Sequence, residues 1–164
     1  MKRFLTVIAI LVMSLTVLPV SALDDAQKTA ISNNCALIKE SLKNTQRADA
    51  RARVFFGGKF ETILSKFITP LNVKLVEKNI TNLGLIENQS NFAAAKTTFS
   101  DDFIKYQQVL EELVGINCEN EPDNFYKKLV EVRGYRKKVE QDITKVKKVI
   151  LENIKLVTEL KGNL

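Results

Sequence analysis

A chain of 164 residues with a formal charge of +6 and no His or Trp has the size of one domain. Without His it has no Ser-His or Cys-His nucleophile pair, no ordinary neutral-pH general base and few routes to a zinc site. Carboxylates remain as the source of acid–base chemistry, but the acidic residues fall where exposed helix faces would put them. No catalytic residue, metal site or cofactor is expected.

Lys2 and Arg3, the apolar run from Phe4 to Val20, and the small residues Val20 and Ala22 ahead of Leu23 read as an export signal over residues 1–22. Pro19 beside the small-residue site favours cleavage after Ala22. The run is roughly seventeen residues, at the lower limit of what crosses a bilayer, so an uncleaved N-terminal anchor is the alternative. No later apolar stretch reaches spanning length, so no membrane span is expected once the signal is removed. Export places residues 23–164, one domain, in an oxidising periplasmic, cell-envelope or extracellular space.

The first helix is expected over about 25–56, with Gln27 placed for a capping box on Asp24. Ile31, Cys35, Ile38, Leu42, Thr45, Asp49, Ala52 and Phe56 recur at steps of three and four. Gly57 and Gly58 are expected to end or hinge it. A second helix over about 59–82 carries Phe60, Ile63, Leu64, Phe67, Leu71, Leu75 and Val76, with Pro70 kinking or splitting it and Gly84 closing the stretch. Leu85 to Gln89 then read as a connection. The third helix, about 90–114, has an aromatic seam of Phe92, Phe99, Phe103 and Tyr106 followed by Leu110 and Leu113, with Lys96 in the row. The last, about 122–162, starts at Pro122 with Asp123 at its positive end and stops near Gly162 and Asn163. Its seam runs Phe125, Leu129, Val132, Arg136, Val139, Ile143, Val146, Ile150, Asn153, Val157, Leu160 and Leu164, in which Arg136 and Asn153 read as register devices. The fold class is all-α: an elongated antiparallel bundle of three or four helices with coiled-coil-like packing. Seams of this kind can be buried within one chain or between copies, so self-association stays open.

Two cysteines, Cys35 and Cys118, fit no CxxC motif and are too few to close a tetrahedral metal site. In an exported chain they are expected to form a structural disulfide; an intermolecular bond and free thiols are the alternatives. Cys35 lies on the core side of the first helix, and Cys118 lies in the connection before the last. A helix of about twenty-five residues is too short to return the chain to the level of Cys35. The loop 83–91 must therefore stretch, or the first helix must fold over at Gly57-Gly58.

Charge is uneven: residues 23–84 carry a net +4, 85–121 a net −5 and 122–164 a net +5. An acidic middle helix is expected to neutralise the basic helices beside it; a basic surface for an anionic envelope polymer is the alternative. Two surface features stand out. Arg51, Arg53, Phe55, Phe56, Gly57, Gly58 and Lys59, with Phe60, crowd cations, aromatics and glycines together as a candidate partner-binding segment. Lys39, Lys43, Arg47 and Arg51 follow one another at i+4 as a candidate anion-binding stripe. The lysine pairs 127–128, 137–138 and 147–148 are ten residues apart and spiral round a helix, which with the export signal argues against nucleic-acid binding. The sequons at Asn79 and Asn88 read as chance.

The stretch from Asn44 to Asn79, NTQRADARARVFFGGKFETILSKFITPLNVKLVEKN, resembles a segment of small exported helical bacterial proteins with no assigned function. In size, charge and compartment the chain also resembles the Skp/OmpH periplasmic chaperones, whose small β-body joins three copies; no strand-like segment is found here. The expectation is an exported, non-catalytic helical protein that acts by protein–protein contact in the cell envelope or extracellular space. A Skp-like holdase for unfolded exported clients is the alternative.

Overall fold

The computed structural model describes residues 23–162. The expected signal (1–22) and the terminal Asn163 and Leu164 lie outside the described residues. All regular structure among the described residues is helical: α1 (Asp25–Asn33), α2 (Cys35–Ile63), a π-helical turn (Leu64–Ile68), α3 (Thr69–Glu77), α4 (Leu83–Gly115) and α5 (Pro122–Gly162). The helices pack into a bundle around α4, which lies against α5 and against α2. None of them is long and apolar enough to cross a membrane.

Asp24 caps α1 as expected. Its carboxylate accepts from Gln27 N at 2.7 Å while its own amide donates to Gln27 Oε1 at 3.1 Å. The helix then breaks at Asn34, where no stop was expected. The Asn34 amide side chain donates to Ala30 O at 2.8 Å, competing with the backbone for a helical acceptor.

Gly57 and Gly58 do not end the first helix. Both lie within α2 at negative φ, and a Cβ built on either would meet nothing within 4 Å. The separate 59–82 helix is therefore not formed as expected; the chain continues through the π-helical turn into α3. Pro70 explains that turn: it has no N–H and its ring crowds the carbonyl four residues back, so the ladder widens just before it. α3 stops at Asn79, whose φ of 57° is tolerated by Asn. Asn79 N donates to Val76 O and Ile80 N to Leu75 O, both at 2.9 Å, closing a Schellman turn.

α4 begins at Leu83, seven residues before the expected Ser90, because Asn82 accepts from Leu85 N at 3.1 Å as its cap. The expected loop over Leu85 to Gln89 is thus helical. Gly84 lies in the first turn of α4 with Leu156 Cδ2 3.2 Å from where a Cβ would sit, so it admits α5 rather than closing a helix. With 33 residues, α4 is about 50 Å long. That resolves the closure problem without a stretched loop or a fold at the glycines. The sulfurs of Cys35 and Cys118 lie at disulfide distance with Cα atoms 5.5 Å apart. Ser32 Oγ donating to Glu119 O at 3.0 Å and the Lys28–Asp123 pair at 2.9 Å hold α1 to the same corner.

The core is continuous from Cys35 and Cys118 to Ile68, Phe92 and Val146. Phe60 of α2 inserts edge-on between Phe92 and Phe99, and Phe99, Phe103 and Tyr106 follow edge-to-face at 5.6 and 5.8 Å, each such pair adding roughly 0.5–1.5 kcal/mol beyond area burial. On α5 the inward row steps through buried Val132, Val139, Asp142 and Val146, with half-buried Tyr135, Val149 and Asn153 between and beyond them. Arg136 is exposed on the edge of that row, where its guanidinium keeps water.

Gly57→Ala and Gly58→Ala should each raise stability by about 0.5–1 kcal/mol, since both backbones already suit Ala and both sites are open. Gly84→Ala, which pushes on Leu156, should show no such gain. Urea unfolding of the three single variants checks this; loss of stability at Gly57 or Gly58 would contradict the continuous α2.

Candidate functional site

α2 sorts the residues of the candidate partner segment by phase. Phe60 is buried and Phe56 is half-buried against it, 6.0 Å between rings. Arg53 sits at the α2–α4 edge, its Nη1 donating to Gln107 Oε1 at 2.9 Å. A cleft of about 360 Å³ opens beside it, lined by Gly57, Lys96, Phe99 and Asp101 among others. Lys96 is paired with Glu61 across the same edge. The outward face is left with Arg51, Val54, Phe55, Gly58 and Lys59. Phe55 is 58% exposed, and Lys59 Nζ lies 5.7 Å from its ring centre. The segment is therefore two surfaces, one in the core and one free; only the second can meet a partner.

Lys39, Lys43, Arg47 and Arg51 all lie on α2, and none is in an ion pair with another described residue. Each i+4 step turns about 40°, so the row winds from half-buried Lys39 at the core flank to exposed Arg51 on the outer side. Continued by two more such steps it reaches Phe55 and Lys59. The two candidate features are thus one ridge sharing Arg51. The cations do not converge on a pocket, and a small anion would meet at most two of them at once.

Three polar layers cross the interior. Tyr106 Oη donates to Asp49 Oδ2 at 2.5 Å, and Arg136 Nη2 approaches Asp49 Oδ1 at 3.6 Å, linking α4, α2 and α5. Burial, then the bond to Asp49 and its charge, push the Tyr106 hydroxyl well above the usual phenol range. Farther along, Asn153 Nδ2 donates to Asn88 Oδ1 at 2.9 Å, and Asn88 Nδ2 donates to Val149 O at 3.1 Å. Beside them Asn72 Nδ2 donates to Leu85 O and to Gln89 Oε1, and Gln89 Nε2 donates to Thr69 Oγ1. Of the two sequon asparagines, Asn88 is buried and Asn79 is exposed in its turn.

The third layer is a carboxylate pair between α4 and α5, against the expectation that every acid sits on a helix surface. Asp142 is 2% exposed; its Oδ1 accepts from Lys145 Nζ at 3.0 Å, while Oδ2 has no donor. Asp102 faces it. Burial first, then hydrogen bonding to Asp142 and repulsion by its charge, push the Asp102 carboxyl above the usual carboxylate range, with Lys138 and Lys145 opposing. The raised Asp102 carboxyl thus lies beside a buried Asp142 oxygen that lacks a donor. The signal for Asp142 was present in the sequence: stepping three rather than four from Val139 lands on it, just as stepping three from Val132 lands on Tyr135 instead of Arg136.

No group of three or more potential metal-ligating residues converges among the described residues. Comparison with family models, with curated proteins and with solved structures returned no match to this chain.

Because the folded-state carboxyl of Asp102 is raised, its contribution is full below its unfolded value near 3.8 and is lost as pH rises through the folded one. Asp102→Asn offers an uncharged donor to Asp142 Oδ2. It should raise stability near neutral pH on the order of 1 kcal/mol and flatten the decline from pH 4 upward. Thermal unfolding of both chains across pH 4–8 measures this; an unchanged pH profile in the variant would contradict the raised Asp102 carboxyl.

Proposed function

We propose that this chain is an exported, non-catalytic helical protein that docks the outer ridge of α2 against another envelope or extracellular protein. The observation that carries the reading is the free face of the 51–59 segment. Val54 and Phe55 are left in water between Arg51 and Lys59, on a stretch whose other face is anchored by Phe60. An exposed aromatic on a rigid helix, flanked by cations, is a contact residue of the kind that dominates protein interfaces. The scaffold behind it is read as an elongated antiparallel bundle. Partners along the chain support this, with Asp49, Phe60 and Asn72 meeting Tyr106, Phe99 and Leu85. Export is supported by the charged and apolar opening of the sequence and by a cysteine pair at bonding distance. The lack of His supports a role without catalysis.

A second reading, a holdase for unfolded exported clients, draws on a different observation. Phe67, Val73, Val76, Leu83, Ile86, Leu151 and Ile154 are exposed and all belong to the end of the bundle away from Cys35–Cys118. An apolar end of that kind could hold unfolded segments.

Crosslinking in the native envelope with wild-type chain and with an Arg51→Glu/Phe55→Ser variant separates them. Docking through α2 predicts one dominant partner that the double variant loses about tenfold or more, with no stoichiometric suppression of aggregation of a denatured client. Suppression that survives the double variant would favour the holdase.

A further inference from the structure

α3 and α5 both pack on α4, yet they leave a groove of about 430 Å³ open between them. Its apolar walls are Phe67 of the π-helical turn and Leu71 of α3 on one side and Ile154 and Val157 on the other, and Lys66 of the turn and Lys74 of α3 stand on the first rim. Phe67 is 65% exposed and Ile154 56%, so side chains of core type face water on both walls. No carboxylate lines the groove. Lys147 and Lys161 lie seven residues to either side of Ile154, on the same flank of α5. Glu152 and Glu159 point to the opposite side of that helix by phase.

We propose that this groove receives an amphipathic helix with acidic flanks from a partner protein, its apolar edge seated between α3 and α5 and its carboxylates against the lysine rims. The inference rests on the reading of the chain as a protein-docking module and adds a second face, distinct from the α2 ridge. Shape selects a helix. Two helices held apart by a third, with apolar walls facing each other, offer the seat that a fourth bundle helix fills, whereas a bilayer surface cannot enter a slot between helices. Charge selects an acidic one: Lys66 and Lys74 in the groove, with Lys147 and Lys161 on its α5 flank, outnumber Glu77 at the α3 end, favour carboxylates and repel a basic segment. Residues 1–22 of the chain itself carry Lys2 and Arg3 and no acid, the wrong sign for this seat.

The test uses the full oxidised chain from residue 23 onward and a fluorescent three-heptad peptide with a Leu seam and Glu flanks, with a Leu/Lys peptide of the same pattern as control. Anisotropy should show binding of the acidic peptide only, weakened about tenfold by Ile154→Asp and by Lys66→Glu/Lys74→Glu, and falling with added salt. Both sites are exposed, and unchanged helical circular dichroism verifies that the variants fold. Arg51→Glu/Phe55→Ser should bind the peptide like wild type. Equal binding of both peptides, or acidic-peptide binding indifferent to the groove variants, would overturn the proposal. So would a wild-type dimer that Ile154→Asp dissolves, or binding to anionic vesicles, lost in the same variants, without peptide binding. If the native partner is captured through α2 but the acidic peptide does not bind, the groove assignment alone falls. If the peptide binds as described and envelope crosslinking yields no partner, the α2 docking reading falls and the groove stands.

Discussion

The structure depends on α4 being covered on two sides at once. Phe92, Phe99, Phe103, Tyr106, Val109, Leu110 and Leu113 are all buried, on a stripe about 120° wide, broader than one neighbouring helix can cover. α5 and the α2–α3 arm divide it. Aromatic bulk on α4 meets Val and Ile on α5 and Phe60 on α2, so large and small side chains interdigitate. Without both covers several rings would be returned to water, each worth roughly 1.5–3 kcal/mol of burial. The acidic segment that contains α4 is matched on the α5 side, where Glu112 meets Lys128 at 2.9 Å, but on the α2 side the sense is reversed, with Lys96 of α4 paired to Glu61 of α2.

A broad apolar stripe alone does not choose a register, because a seam slipped by one heptad buries nearly the same area. The polar layers choose it. A slip would part Asn88 from Asn153 and Val149, Asn72 from Leu85 and Gln89, and Tyr106 from Asp49, leaving buried donors and acceptors unmet at roughly 1–3 kcal/mol each. The Cys35–Cys118 link pins one end of the ladder, adding about 4 kcal/mol on the chain-entropy account for so long a loop. The Asp102–Asp142 pair is the layer left incompletely satisfied, with Asp142 Oδ2 lacking a donor. With the register set, the α2 ridge and the α3–α5 groove have fixed positions on one scaffold.

Much of this was legible in the residues. The limits of α5, the aromatic seam of α4, the capping box at Asp24 and the core-side placement of Cys35 all follow from spacing and caps that act locally. The misreadings have a common cause: a local breaker was overruled by longer-range packing. Gly57 and Gly58 are poor helix formers, but Phe56 and Phe60 on either side of them are held in the core, so the helix passes through. Gly84 and the polar run Asn88 to Ser90 look like a loop until their partners Leu156, Asn153 and Asn72 are in place. The widening before Pro70 cannot be told from a stop without knowing that α3 must continue along α4. For the interaction surfaces, phase on α2 could be read from the sequence, and it divides Phe55 from Phe60. The groove could not, since it exists only because α3 and α5 share α4 and stay apart.

Native-state amide exchange followed by mass spectrometry tests the central role of α4 most directly. The slowest amides should lie between Phe92 and Leu113 and exchange only on global unfolding, with α3 and the last two turns of α5 opening at lower free energy. Protection in α4 no greater than that of α3 would contradict the account.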